Sequence, residues 1–178
     1  MEPPHEIRTA RLLLRPIEER DAGAIFEGWC QDPEALRYLT WPHQKSSNET
    51  LQLVRSAMDA WGRGVAFAYV AVQPSNGELV GYLKMTLEQP WRLALGWIVA
   101  RPYWGQGFAT EMVRSVLAWG HQQTDLYRIW AMTHRDHAAA VRVMEKAGML
   151  REGILRRWLV FPHLSPEPQD VVCYSVAR

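Results

Sequence analysis

The chain has 178 residues, 48% of them hydrophobic and 22% charged, with a formal net charge of +1. That length suits one domain with a substantial core. The near-balance of charge leaves out a general nucleic-acid or membrane-surface binder, and no run approaches the ~18 apolar residues of a membrane-spanning helix.

RLLLRPI, Arg11 to Ile17, reads as a first strand. Asp21 is placed to cap a helix running to about Cys30, and Asp32 to Leu39 adds a helical turn. After a loop containing Pro42 and paired serines, Asn48 is placed to cap a helix from Glu49 to about Gly62, with Leu51, Val54, Met58 and Trp61 near one face. The apolar period then shortens. Val65 to Val72, Glu78 to Leu87 and Leu93 to Ala100 read as strands of an antiparallel meander. The first two join across Pro74 to Gly77, where Asn-Gly tolerates positive φ. Ala109, Met112, Val113, Val116 and Leu117 then share one stripe of a helix. Tyr127 to His134 is a strand, and Arg135 to Gly148 a helix with Gly148 as its stop. Ile154 to Phe161 and Asp170 to Ala177 close the chain as strands, around a proline-rich loop from Pro162 to Pro168. No repeat or linker divides residues 1–178, so the expectation is a single α/β domain.

Cys30 and Cys173 are too few for a disulfide framework or a zinc site, and the N-terminus lacks the charged-then-apolar pattern of a secretory signal. A cytoplasmic protein without a metal is expected.

One stretch, ARPYWGQGFATEMV, joins an apolar strand to an amphipathic helix with no charged side chain between Trp104 and Thr110. Gly105 and Gly107 allow close backbone approach to a ligand. Unpaired N–H groups at the start of the following helix, with its positive dipole end, suit a phosphate. A P-loop is excluded because no GxxxxGK[ST] is present, and a Rossmann unit because the next strand ends in Thr133-His134 and not in an acid.

LGWIVARPYWGQGFATE and HRDHAAAVRVMEKAGM resemble the GNAT superfamily of acyl-CoA-dependent N-acyltransferases, above all its RimJ/RimL-type branch, and the resemblance runs from Thr9 to Arg178. It implies a mixed, mostly antiparallel sheet with a splayed strand pair and flanking helices. It implies acetyl-CoA as co-substrate, its pyrophosphate held along Trp104, Gly105, Gln106, Gly107, Phe108, Ala109 and Thr110, and its pantetheine on the backbone of Trp97, Ile98 and Val99. His137 and Ala140 fall where the later helix faces the coenzyme.

The sequence departs from the family pattern in three places. Trp104 stands where Arg or Gln is usual; His137 and Ala140 replace the N-x-x-S that opens the later helix; Leu93-Ala94-Leu95 lacks the glutamate that often positions a water as base. Ala140 cannot protonate a departing thiolate. His137, with an unperturbed pKa of about 6.5, is the candidate acid or base, or else a polar residue at the helix start that only touches pantetheine. Trp41 and His134 are candidates for the acceptor side; His43 and His163 sit in loops, and Arg156-Arg157-Trp158 on a strand should alternate in exposure. The reading is acetyl transfer to a primary amine, on a peptide N-terminus or a small molecule, by a monomer or homodimer. Its alternatives are a succinyl-CoA or other short acyl-CoA donor, and a non-catalytic acyl-CoA-binding module. With no acid in place as base, low-pKa α-amines should outperform lysine side chains.

Overall fold

The computed structural model describes residues 2–178. Within them one eight-stranded sheet runs β1 (Ile7–Arg8), β2 (Leu13–Pro16), β3 (Ala66–Val72), β4 (Leu79–Gln89), β5 (Arg92–Val99), β6 (Arg128–His134), β8 (Ser165–Ala177) and β7 (Leu150–Phe161), in that spatial order. Every neighbouring pair is antiparallel except β5 and β6. Two long helices, α4 (Phe108–Gly120) and α5 (Ala138–Lys146), pack on a core that includes Leu83, Met85, Leu95, Met112, Val116 and Met144. Short α1 (Ala22–Ile25), a π-turn over Phe26–Cys30, α2 (Pro33–Leu36) and long α3 (Ser47–Gly62) build a second core around Trp29, Val54, Val70 and Ile98. This is the expected mixed α/β fold.

The amphipathic stripe on α4 is buried as read, and Gly148 follows α5 at φ +88, where a side chain would be strained. Other readings are corrected. Asp21 does not cap α1 with its side chain; its buried carboxylate takes both Nη atoms of Arg15, at 2.7 and 2.8 Å, and the N–H of Glu18 at 2.8 Å. Ser46, not Asn48, caps α3: its Oγ accepts from the Glu49 N–H, and Glu49 reaches back to the Lys45 N–H. The S-x-x-E spacing of a capping box distinguishes Ser46 from its polar neighbours. Met58 on α3 faces solvent, and Thr50, Val54, Ala57 and Trp61 turn inward in its place. At the 74–77 turn only Gly77 takes positive φ.

The closing hairpin is longer than expected. β7 begins at Leu150 and β8 at Ser165, so the loop shrinks to Pro162–Leu164, and Pro166 and Pro168 lie in β8. Alternation fails at Arg156-Arg157-Trp158: the register slips between Leu155 and Leu159, Arg157 sits at φ +46, and all three side chains are exposed.

Candidate active site

β5 and β6 pair only at Leu93↔Ile129 and the residues either side, Arg92↔Arg128 and Ala94↔Trp130. Beyond Ala94 each strand keeps its outer partner, β4 or β8, but the two separate. The Ala100 N–H bonds Val80 O on the β4 side. Backbone direction alternates along a strand, so Ile98 faces β4 as well, while Trp97 and Val99 present their polar groups to the gap. The Val99 carbonyl is already used: the Trp104 indole Nε1 donates to it at 2.6 Å. Trp104 thus latches the glycine loop to the end of β5.

The loop holds Gly105 at φ +76 and Gly107 at φ +84, and Gly107 is the N-cap of α4. The first helical bond is donated by Glu111 to Gly107 O. None of the N–H groups from Gly105 to Thr110 donates to an acceptor among the described residues. Such a run at a helix start is an anion site in waiting.

A clamp fixes the loop from behind. Arg11 Nε donates to Glu111 Oε2 at 2.7 Å and Nη1 to Gln106 O at 3.0 Å, and its guanidinium lies 4.2 Å from the centroid of the Phe108 ring. Glu111 also accepts from Thr9 Oγ1 at 2.6 Å and from the Arg11 N–H at 2.9 Å. Burial alone would raise the Glu111 pKa; the hydrogen bonds from Thr9 and Arg11, with the Arg11 charge, outweigh it and lower the value.

The gap opens into a cavity of about 540 Å³ between the sheet, α3 and the segment that follows α2. Leu95, Gly96, Trp97, His137 and Ala140 border it on the gap side, and Trp29, Tyr38 and Trp41 on the other. His137 stacks on Tyr38 with ring centroids 4.3 Å apart. Burial, then repulsion from His134 and Arg142, pushes its pKa down to about 4, so the value near neutrality expected for acid–base work is not met. His137 is a neutral ring in the cavity wall. His134 is buried, stacked on Tyr38 at 5.3 Å, and its Nδ1 accepts the Asp136 N–H. In the neutral ring that bond places the proton on Nε2, which can then donate. His163 reaches the carbonyl of Trp41 at 3.0 Å and pins that loop, whereas His43 is exposed. Among the described residues no carboxylate lines the cavity, and the one formal charge in its wall is Lys84.

A sequence model of the acetyltransferase (GNAT) domain matches residues 11–150. The chain belongs to the GNAT acetyltransferase family. An uncharacterized N-acetyltransferase, YoaA of Bacillus subtilis, is 28% identical over 174 residues, covering 97% of this chain and 96% of its own. The RimJ structure of Mycobacterium smegmatis, in complex with a CoA disulfide, superposes with a TM-score of 0.87 at 21% identity over 99% of this chain and 90% of that one. RimL, the ribosomal L7/L12 alpha-N-protein acetyltransferase in complex with coenzyme A, gives 0.86 at 20% identity, covering 97% of each chain. At these identities the two structures establish a common fold.

Within this GNAT enzyme, the glycine loop joins β5 to α4 as the sequence placed it, and β5 splays from β6 as the resemblance implied. Tyr38, Lys84 and the Thr9–Arg11–Glu111 clamp were not foreseen. Glu111 carried a signal, being the acid of GQGFATE on the polar side of a helix, but its partners lie about a hundred residues away in sequence.

Proposed function

We propose that this acetyltransferase moves an acetyl group from acetyl-CoA to a primary amine by direct attack in the 540 Å³ cavity. The observation that carries the reading is one continuous path. Unpartnered N–H groups from Gly105 to Thr110 lead along the opened edge at Trp97 and Val99 into that cavity. The N–H run would hold the coenzyme's pyrophosphate. The edge of β5 would hold the pantetheine, with Val99 contributing only its N–H because Trp104 has its carbonyl. RimL and RimJ, of the same fold, bind coenzyme A or its disulfide, which supports the assignment.

The thioester supplies the activated acyl carbon. What this chain adds is orientation and charge stabilisation. An N–H on the opened edge can meet the carbonyl oxygen as negative charge develops, usually a large catalytic contribution. His137, neutral and facing the cavity with Ala140 one turn below, would accept a hydrogen bond from the amine and orient it. With a pKa of about 4 it is too weak to remove the amine proton. The proton then leaves to water, and acceptors that are already partly neutral have the advantage. An α-amine, as at a peptide N-terminus or on a small molecule, fits this chemistry better than a lysine side chain.

Thiol release from acetyl-CoA and from succinyl-CoA, measured against a panel of α-amines, tests the reading. Amine-dependent release with acetyl-CoA well above that with succinyl-CoA is expected. Tight coenzyme A binding with no amine-dependent release would overturn it.

A further inference from the structure

Lys84 lies on β4, paired in register with Gly96 on β5. Leu83 and Met85 point into the core under α4, so Lys84 points the other way, with Tyr82 and Thr86, into the cavity beneath α3. A Cβ placed on Gly96 would meet no protein atom within 4 Å, so the cavity stays open beside the Lys84 stem. Lys84 makes no ion pair or side-chain hydrogen bond among the described residues. The next acid on its face, Glu88, is taken by Arg92 at 2.9 Å and by the Trp130 indole at 2.9 Å. Four residues along a strand is about 13 Å, out of reach of a direct pair.

The cavity that Lys84 borders is largely apolar, with rings such as Trp29, Tyr38, Trp41 and Trp97 in its wall, while the Lys84 side chain itself stays exposed to solvent. A cation beside low-dielectric walls attracts anions and repels cations more strongly than it would in open water.

We propose that Lys84 selects the acceptor: an amine with an apolar body and a carboxylate close to its amino group, the carboxylate pairing with the Lys84 ammonium. The proposal rests on the acetyltransferase reading above. Polycationic amines such as polyamines are disfavoured by the same charge. Lys84 also makes protonation of a nearby amine less favourable, which helps supply the neutral nucleophile where no carboxylate base is present. The carboxylate could come from a free amino acid or from an acidic residue following a peptide N-terminus; both present the same chemistry.

The test is calorimetric binding to the protein saturated with coenzyme A, comparing wild type with K84M. Two probe pairs separate the sources. L-phenylalanine against L-phenylalaninamide reports an α-carboxylate. Phe-Asp amide against Phe-Asn amide reports a side-chain carboxylate near a free N-terminus. Wild type should bind the carboxylate-bearing member of at least one pair about tenfold or more tightly than its carboxamide partner, and K84M should erase that ratio while leaving coenzyme A affinity unchanged. Equal binding of both members of both pairs by wild type, or a ratio that survives in K84M, would overturn the proposal. Thiol release in the same mixtures with acetyl-CoA reports the transferase reading separately. Charge-selective binding without release sinks the activity and keeps the Lys84 assignment; release without charge selection does the reverse.

Discussion

The His137 imidazole lies nearly flat on the ring of Tyr38, with centroids 4.3 Å apart and planes 18° from parallel. This contact joins the start of α5 to the segment after α2, across the mouth of the cavity. It also takes water from the imidazole, which is the largest cause of its lowered pKa.

The first prediction follows from that burial. An NMR titration of the His137 ring should give a midpoint near 4, well under the ordinary 6.5. In the window between those values the unfolded chain binds a proton that the folded chain refuses, so stability falls as pH drops through it. The loss amounts to at most roughly 3 kcal/mol, at about 1.36 per pKa unit. H137Q should flatten the stability slope between those pH values. A midpoint near 6.5, or an unchanged slope in the variant, would show a solvated imidazole.

The second concerns the clamp behind the glycine loop. Glu111 accepts from Thr9 and twice from Arg11, and its lowered pKa means that its stabilisation is complete above the ordinary carboxylate value of 4.5 and fades as pH falls below it. E111Q should lower stability at pH 7 by about 1–3 kcal/mol, the cost of breaking charge-assisted, partly buried bonds. Urea melts at pH 7 and pH 4 check this: the gap between wild type and variant should narrow at the lower pH.

The third tests the anion cradle. G107D adds a side chain at φ +84, its Cβ 3.6 Å from Arg11 Nη2, and a negative charge next to the N–H run, so coenzyme A affinity should fall by more than about tenfold. G107A separates the two effects, since it carries the backbone strain of about 1–2 kcal/mol without the charge. Calorimetry in which folded G107D binds as tightly as wild type would remove the cradle.

Local chemistry made parts of this fold legible and hid others. The glycine loop could be read because its function lies in backbone geometry, which Gly105, Gly107 and the following amphipathic stripe announce within a dozen residues. The splay of β5 from β6 came only through resemblance, since nothing in Leu95 to Val99 says that hydrogen bonding to a parallel neighbour stops at Ala94. Tertiary partners were the hidden part. Asp21 looked like a cap until Arg15 was placed beside it, and His137 looked like an acid–base residue until Tyr38 covered it. Lys84, a lone charge in GYLKMTL, carried no signal of the cavity it borders. The far wall of that cavity comes from the π-turn, the segment after α2, and α3, from a different part of the chain.

The central claim is acetyl transfer to an amine that no carboxylate deprotonates. At pH 7 roughly a tenth of an α-amine of pKa about 7.7–8.0 is neutral, against fewer than about one in a thousand for a lysine side chain near 10.4. The most direct measurement is kcat/KM at pH 7 with acetyl-CoA for a short peptide with an unblocked N-terminus and for its N-blocked, lysine-containing counterpart. Product is read by mass spectrometry and thiol release together. The account predicts acetylation of the unblocked peptide at its α-amine, faster by about two to three orders of magnitude. Preference for the blocked lysine peptide would contradict it and require a base supplied by His134 or the Trp41–His43 loop.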